Sequence, residues 1–280
     1  MKICKGWQIL EQQLKGHNKE IENSIIRKYI TLRQKKGGCT ACQAKIPEDI
    51  NEGRPVSFYV IGEDFPKQSF RVMFVGKTVA NGWESETSIP GSDFIDARKY
   101  SREKQFLPAR TSWVPGYAFW EAIKGICQIL WKDDTLDEIW RKIAITNLVK
   151  CSTSVGEDTT PPELKKNCIE TMRFFENEVI ESKPTHLVIF SGGDSPKFYD
   201  QYISNLSFGY KEKPVDEKNK TYRYNYLSWW HRKFVEADAV KMHMLRTYHP
   251  ASCRGGPKEQ QIFCNSIAEW VIQNPVESWK

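Results

Sequence analysis

Four of the eight cysteines stand in an arrangement suited to a metal centre. Cys39 and Cys42 form a CxxC in the Gly-rich turn KKGGCTAC, and Cys151 and Cys168 follow far downstream with sixteen residues between them. Four thiolates suit either tetrahedral zinc or an iron–sulfur cluster, and spacing alone does not separate the two. Four unrelated thiols are the plainer alternative. The polar turn around Cys39 and Cys42 weighs against it, because inert thiols belong in apolar surroundings. Cys127 in IKGICQIL and Cys264 in QIFCNSI have such surroundings and read as core residues.

Two further residues stand at the ends of apolar runs. His249 lies in TYHPAS, one residue (Arg246) after MHML, and Asn147 follows IAIT. An imidazole there is either a satisfied structural group or a donor aimed at a ligand. A carboxamide offers a donor and an acceptor together, or simply ends a strand. The choice depends on whether the two runs emerge on one edge of one sheet.

The elements that must position these groups alternate. RVMFVG (71–76), IAITNLVK (143–150), THLVIFSGG (185–193) and MHMLRTYHP (242–250) read as buried strands. GYAFWEAIKGICQILW (116–131), PPELKKNCIETMRFFENEVIES (161–182), a short segment near 195–205, and 257–273 read as helices, as does the periodic stretch 6–34. Strands alternating with helices predict an α/β fold around a mostly parallel sheet of about four strands. In such sheets ligands bind beyond the carboxyl ends of the strands. Those ends carry Gly76 and Lys77, Asn147 to Cys151, Ser191 to Gly193, and His249 with Pro250.

With 280 residues and no internal repeat, the simplest partition is a single domain over 1–280, with an N-terminal helical extension (1–36) and a basic-aromatic insert (206–235). No apolar stretch approaches the ~20 residues of a membrane span. The opening MKICKGWQILEQQLKG turns charged too early for a secretory signal, so a cytoplasmic location is expected. Lys and Arg outnumber Asp and Glu by 41 to 35, a balance compatible with a polyanionic partner and equally common in enzymes that touch none.

The CxxC, VMFVG, ITNLVKCS, the proline pair before ELKKNC, THLVIFSG and TYHPAS occur in that order. Together they resemble the uracil-DNA glycosylase superfamily, nearest to its iron–sulfur family 4 branch, over roughly 37–76, 140–195 and 243–275. The resemblance implies a three-layer α/β/α fold with a central, mostly parallel four-stranded sheet. It implies DNA as partner; no membrane and no obligate protein partner is inferred. It also implies one 4Fe–4S cluster on Cys39, Cys42, Cys151 and Cys168, stapling the N-terminal segment to the loop after the second strand. His249 then donates to a base oxygen as the glycosidic bond breaks, and Asn147 reads the base edge. Phe94 in GSDFI takes the place of the family's stacking aromatic. Lys77, Ser191, Gly192, Ser252 and Arg254 fall where the DNA backbone is held.

Two departures bear on the substrate. After the first strand the family continues Gly-Glu-(small)-Pro-Gly and then acids that hold the catalytic water; this chain reads GKTVANGWESE. Lys77 replaces the glutamate, and acids return at Glu84 and Glu86, the candidates for that catalytic role. Lys77 itself fits a phosphate contact better than a Schiff-base nucleophile. The segments 77–116 and 206–235 are also enlarged, with Lys and Arg among Tyr and Trp, which suits phosphate contact with stacking or a packed edge hairpin. These departures favour a bulky modified base, such as glucosylated hydroxymethylcytosine of phage DNA in antiviral defence. Uracil excision and a non-catalytic iron–sulfur DNA-binding module are the alternatives.

Overall fold

The computed structural model describes residues 18–35, 59–77, 118–150, 160, 162–192, 199–213, 230–253 and 256–276. Helix α1 (Lys19–Lys35) leads to strands β1 (Val60–Ile61) and β2 (Val72–Gly76). Helices α2 (Ala118–Leu130) and α3 (Leu136–Lys142) precede β3 (Ala144–Asn147). Helix α4 (Pro162–Lys166), a π turn (Asn167–Thr171) and α5 (Phe174–Ser182) connect β3 to β4 (His186–Gly192). The one-turn α6 (Asp200–Ile203), β5 (Lys211–Lys213), β6 (Trp230–Glu236), β7 (Ala239–Tyr248) and α7 (Gly256–Gln273) follow.

Among the described residues the sheet is mixed and has seven strands, in the order β1-β3-β2-β4-β7-β6-β5. Neighbours among β3, β2, β4 and β7 run parallel, while β1, β6 and β5 are antiparallel additions. The expected four-stranded sheet is therefore corrected to a larger mixed one. The extra strands escape the apolar pattern for physical reasons. β1 has only two residues, and β5 and β6 (KEK and WHRKFVE) carry the charges of an outer strand pair. Part of the segment 206–235 thus extends the sheet. The β6–β7 hairpin turns on Ala237 and Asp238, both at positive φ (45° and 68°), as the type I′ hairpin turn requires.

The parallel strands read as unbroken apolar runs because both their faces are buried. Met73, Val75, Leu187 and Ile189 face one layer, formed with Tyr29 of α1, Leu164 of α4 and Val179 of α5. Val72, Phe74, Val188 and Phe190 face the other, with Ile123 of α2, Trp140 of α3 and Ile267 of α7. Cys127 and Cys264 are buried in that second layer, as their apolar surroundings imply. A Cβ at Gly125 would come within 2.8 Å of the Cys264 Sγ, so this glycine sets the close approach of α2 and α7. The described part of the N-terminal segment is core rather than appendage, since Ile25 and Tyr29 are fully buried against it.

The helix expected over 161–182 is broken. The Met172 N–H donates to the Asn167 carbonyl, a π-type bond, and Arg173 adopts φ 54°. Arg173 starts a new helix that buries Phe174 and Phe175. α3 was legible but not anticipated. Thr135 and Glu138 form a reciprocal capping box, the Thr-x-x-Glu signature of a helix start.

At the amino-terminal edge of β4, three histidines surround Trp270 of α7, with ring centroids 5.3 to 6.4 Å from the indole. His186 Nε2 meets the Asn274 carbonyl at 2.8 Å, and His231 Nε2 meets His243 Nδ1 at 3.0 Å. Burial drives His186 from 6.5 down to about 3 and His243 to about 4, against the opposing pull of carbonyls at Asn274 and Pro275. Both rings are thus held neutral in the fold while the unfolded chain protonates near 6.5. Their contribution is complete above pH 6.5 and is lost as the pH falls toward 4, by about 1.4 kcal/mol per pH unit per histidine. Thermal midpoints measured from pH 7 to 4 are expected to fall on this account, less steeply in His243→Gln. Equal slopes in the two proteins would remove His243 as a cause.

Candidate functional site

Because β3, β2, β4 and β7 are parallel, their carboxyl ends share one edge. That edge carries Asn147, Gly76 with Lys77, Ser191 with Gly192, and His249. Three inter-strand steps of about 4.8 Å separate the ends of β3 and β7, roughly 14 Å of sheet edge. In open α/β sheets this is where ligands bind.

The Asn147 side chain leans across its neighbour. Asn147 pairs with Gly76, and a Cβ added at Gly76 would come within 2.2 Å of the Asn147 Oδ1 and 3.4 Å of Phe119. Only glycine leaves room for the carboxamide in this place. Pairing continues beyond the strand through Leu148 N–H to the Gly76 carbonyl and Val149 N–H to the Lys77 carbonyl, both at 2.9 Å. Gly76→Ala is expected to keep a thermal midpoint within a few degrees of wild type, since what it strikes is the end of a side chain. It should nonetheless displace the carboxamide, visible as a shifted Asn147 side-chain NH2 resonance. An unmoved resonance would show that the carboxamide does not rest on Gly76.

His249 caps the 3-10 turn Pro250–Ser252 and is half-buried. Its Nδ1 accepts a hydrogen bond from the Ala251 N–H at 3.2 Å. In the neutral ring that places the proton on Nε2, as a donor. The ring stacks on Phe119 with centroids 6.3 Å apart and planes 15° from parallel. Phe119 in turn meets Phe190 edge-on at 5.7 Å. Phe119 therefore bridges the Asn147–Gly76 corner and the His249 ring. Its position was not anticipated as functional from sequence. The available signal was an aromatic at the first turn of a helix whose amino end faces the ligand edge.

Behind Asn147 lies a buried polar network. Lys150 and Glu178 are both fully buried. The Lys150 Nζ donates to Thr146 Oγ1 at 2.7 Å, to Glu178 Oε2 at 2.8 Å, and to the carbonyl of Asn147. Glu178 also accepts from Thr146 Oγ1 at 2.8 Å and from the Tyr29 hydroxyl. Burial pushes Glu178 up and Lys150 down, and each opposes the other's shift through the ion pair. Tyr29 is raised well above its ordinary value by burial and by the charge of Glu178.

The remaining anticipated residues divide between placed and outside. Ser191 sits at a register shift in β4, is 5 % exposed, and its Oγ finds no hydrogen-bond partner among the described residues. Lys77 is half-buried on the edge, and Ser252 closes the 3-10 turn. Cys168 is buried on the π turn, within electrostatic reach of Lys150 and Tyr29. Cys39, Cys42, Cys151, Glu84, Glu86, Phe94 and Arg254 lie outside the described residues. Among the described residues no group of three or more His, Cys, Asp or Glu is arranged to hold a metal ion, and no helix is long and apolar enough to cross a membrane.

The chain matches no protein-family model and no curated protein.

Proposed function

We propose that the protein is a DNA glycosylase that flips a base from the helix and hydrolyses its N-glycosidic bond, leaving an abasic site. The observation that carries this reading is the placement of Asn147 and His249 on one strand edge, with Phe119 beside both the Gly76 corner and the His249 ring. It joins the ordered motifs that resemble the uracil-DNA glycosylase superfamily.

A base hidden by stacking must leave the helix before its bond to the sugar can be attacked. As that bond breaks, positive charge grows on the sugar and negative charge on the departing base. A donor fixed in place before the reaction stabilises the base anion without reorganising. His249 supplies such a donor at Nε2, because Nδ1 is occupied by the Ala251 N–H. The Asn147 carboxamide, held over Gly76, offers a donor and an acceptor to a pyrimidine edge. Lys77, beside it, suits a phosphate contact. Glu84 or Glu86 would orient the attacking water.

The resemblance puts a 4Fe–4S cluster on Cys39, Cys42, Cys151 and Cys168, of which Cys168 alone is among the described residues. Cys168 lies near Lys150, the residue before Cys151, and near Tyr29 of α1, which ends four residues before Cys39. The cluster would act as a structural staple between these segments. Iron and acid-labile sulfide in the purified protein test it, and stoichiometric zinc in their place would overturn it.

The substrate is a bulky modified base of the kind found in glucosylated phage DNA, a reading motivated by the rebuilt first motif and the enlarged segments. The test is a panel of uracil-containing, damaged and virally modified DNAs, scored for free base and alkali-labile sites. Release from glucosylated DNA supports the proposal. Release from uracil DNA alone would make the protein a uracil-DNA glycosylase, and retardation of intact DNA without release would make it a binding module.

A further inference from the structure

The reach of Lys150 beneath the candidate site has a consequence for Asn147. The Asn147 carboxamide lies on the α2 side of the sheet, next to Phe119. Thr146 and Glu178 lie in the opposite layer, where Glu178 of α5 holds the Lys150 ammonium. Lys150 folds back over the turn after β3 and donates to the carbonyl of Asn147 itself. The geometry points to Lys150 as the positioning residue of the site: its ammonium, held by Glu178 and Thr146, clamps the Asn147 peptide from one face of the sheet and so fixes the carboxamide on the other.

Three features support a clamp over a general stabilising role. An ammonium has three N–H donors, and here Thr146, Asn147 and Glu178 take them. The acceptor at Asn147 is the backbone carbonyl of the strand's last residue, in the peptide whose Leu148 N–H donates to the Gly76 carbonyl, so the ammonium fixes from the carbonyl side a plane that the ladder holds from the other. A buried ion pair is also seldom the most stable filling for a core, since an apolar pair of similar volume often serves as well. What it adds is direction: the donors stand at fixed angles, anchored by a carboxylate that is itself held by Tyr29.

This inference rests on the glycosylase reading for the use of the carboxamide, but not for its placement, and the experiment separates the two. In 15N-labelled full-length protein the Asn147 side-chain NH2 resonance is assigned by its loss in Asn147→Asp, with the Asn274 NH2 as a distant control. In Lys150→Met/Glu178→Gln the Asn147 resonance is expected to shift and broaden, with hydrogen exchange about tenfold faster or more, while Asn274 is unchanged. Lys150→Met/Glu178→Leu should give the same signature with a different filling. On a substrate the wild type cleaves, kcat should fall by roughly 10- to 100-fold with KM nearly constant, as expected when a reading group is misplaced by about an ångström. A folded double variant with an unchanged Asn147 resonance overturns the clamp. Should both variants fail to fold, the wild type decides: a slowly exchanging Lys150 ammonium, coupled across a hydrogen bond to the Asn147 carbonyl, supports the clamp, and its absence refutes it. A wild type that releases no base, yet shows the Lys150-dependent resonance, would sink the function and leave the clamp standing.

Discussion

Replacing His249 with alanine is expected to lower the rate of base release by about 10²- to 10³-fold, the usual loss when one donor aimed at developing negative charge is removed. Retardation of DNA should change far less, since the proposed phosphate contact at Lys77 lies on another strand end. The size of the effect follows from the tautomer. The Ala251 N–H occupies Nδ1, so Nε2 carries the only ring proton of the neutral imidazole. Asn147→Ala is expected to cost a similar factor. The two together should cost less than the product of the singles, since groups that act on one base at one moment are not additive. Single-turnover release from the substrate identified in the DNA panel measures all three. A His249→Ala protein that releases base at the wild-type rate would remove the imidazole from the mechanism.

The second large effect concerns folding. Glu178→Leu strands the Lys150 ammonium in a site where both partners are fully buried. Breaking a buried pair from one side costs about 3–5 kcal/mol, because the remaining charge has neither water nor counter-ion. For a chain of this size that lowers the thermal midpoint by roughly 6–20 °C. Adding Lys150→Met to Glu178→Leu should recover most of the loss, since the pair then becomes an apolar filling. Thermal unfolding at neutral pH compares the three proteins. If the double variant were as unstable as the single one, the cost would come from packing around α5 and not from the stranded charge.

Much of the frame was legible because its signals are local. The runs VMFV, AIT and LVIF could be read as strands buried on both faces, and those segments are strands with alternating residues in the two core layers. The segment around Cys264 reads as an amphipathic helix because its apolar side packs on α2. The misses share a cause as well. β6 carries His, Arg and Lys because it pairs with β7 outside the parallel strands, where its pattern answers to cross-strand partners such as Glu212 to Arg232. The break at Arg173 leaves no Gly or Pro behind; it is enforced by the core that Phe174 and Phe175 enter.

For the site, the amino-acid order alone was enough to nominate Asn147 and His249, since each ends an apolar run and a parallel sheet delivers such ends to one edge. It was not enough to nominate Phe119, which stacks on His249 from 130 positions away in the chain, or Glu178, which holds Lys150, and Tyr29, which donates to Glu178 from a separate helix. Strand identity is written in the polarity of consecutive residues, which any window of the chain displays. The partners of a buried lysine or a half-buried imidazole are chosen by packing between distant segments, and that choice exists only once the layers have closed on the sheet.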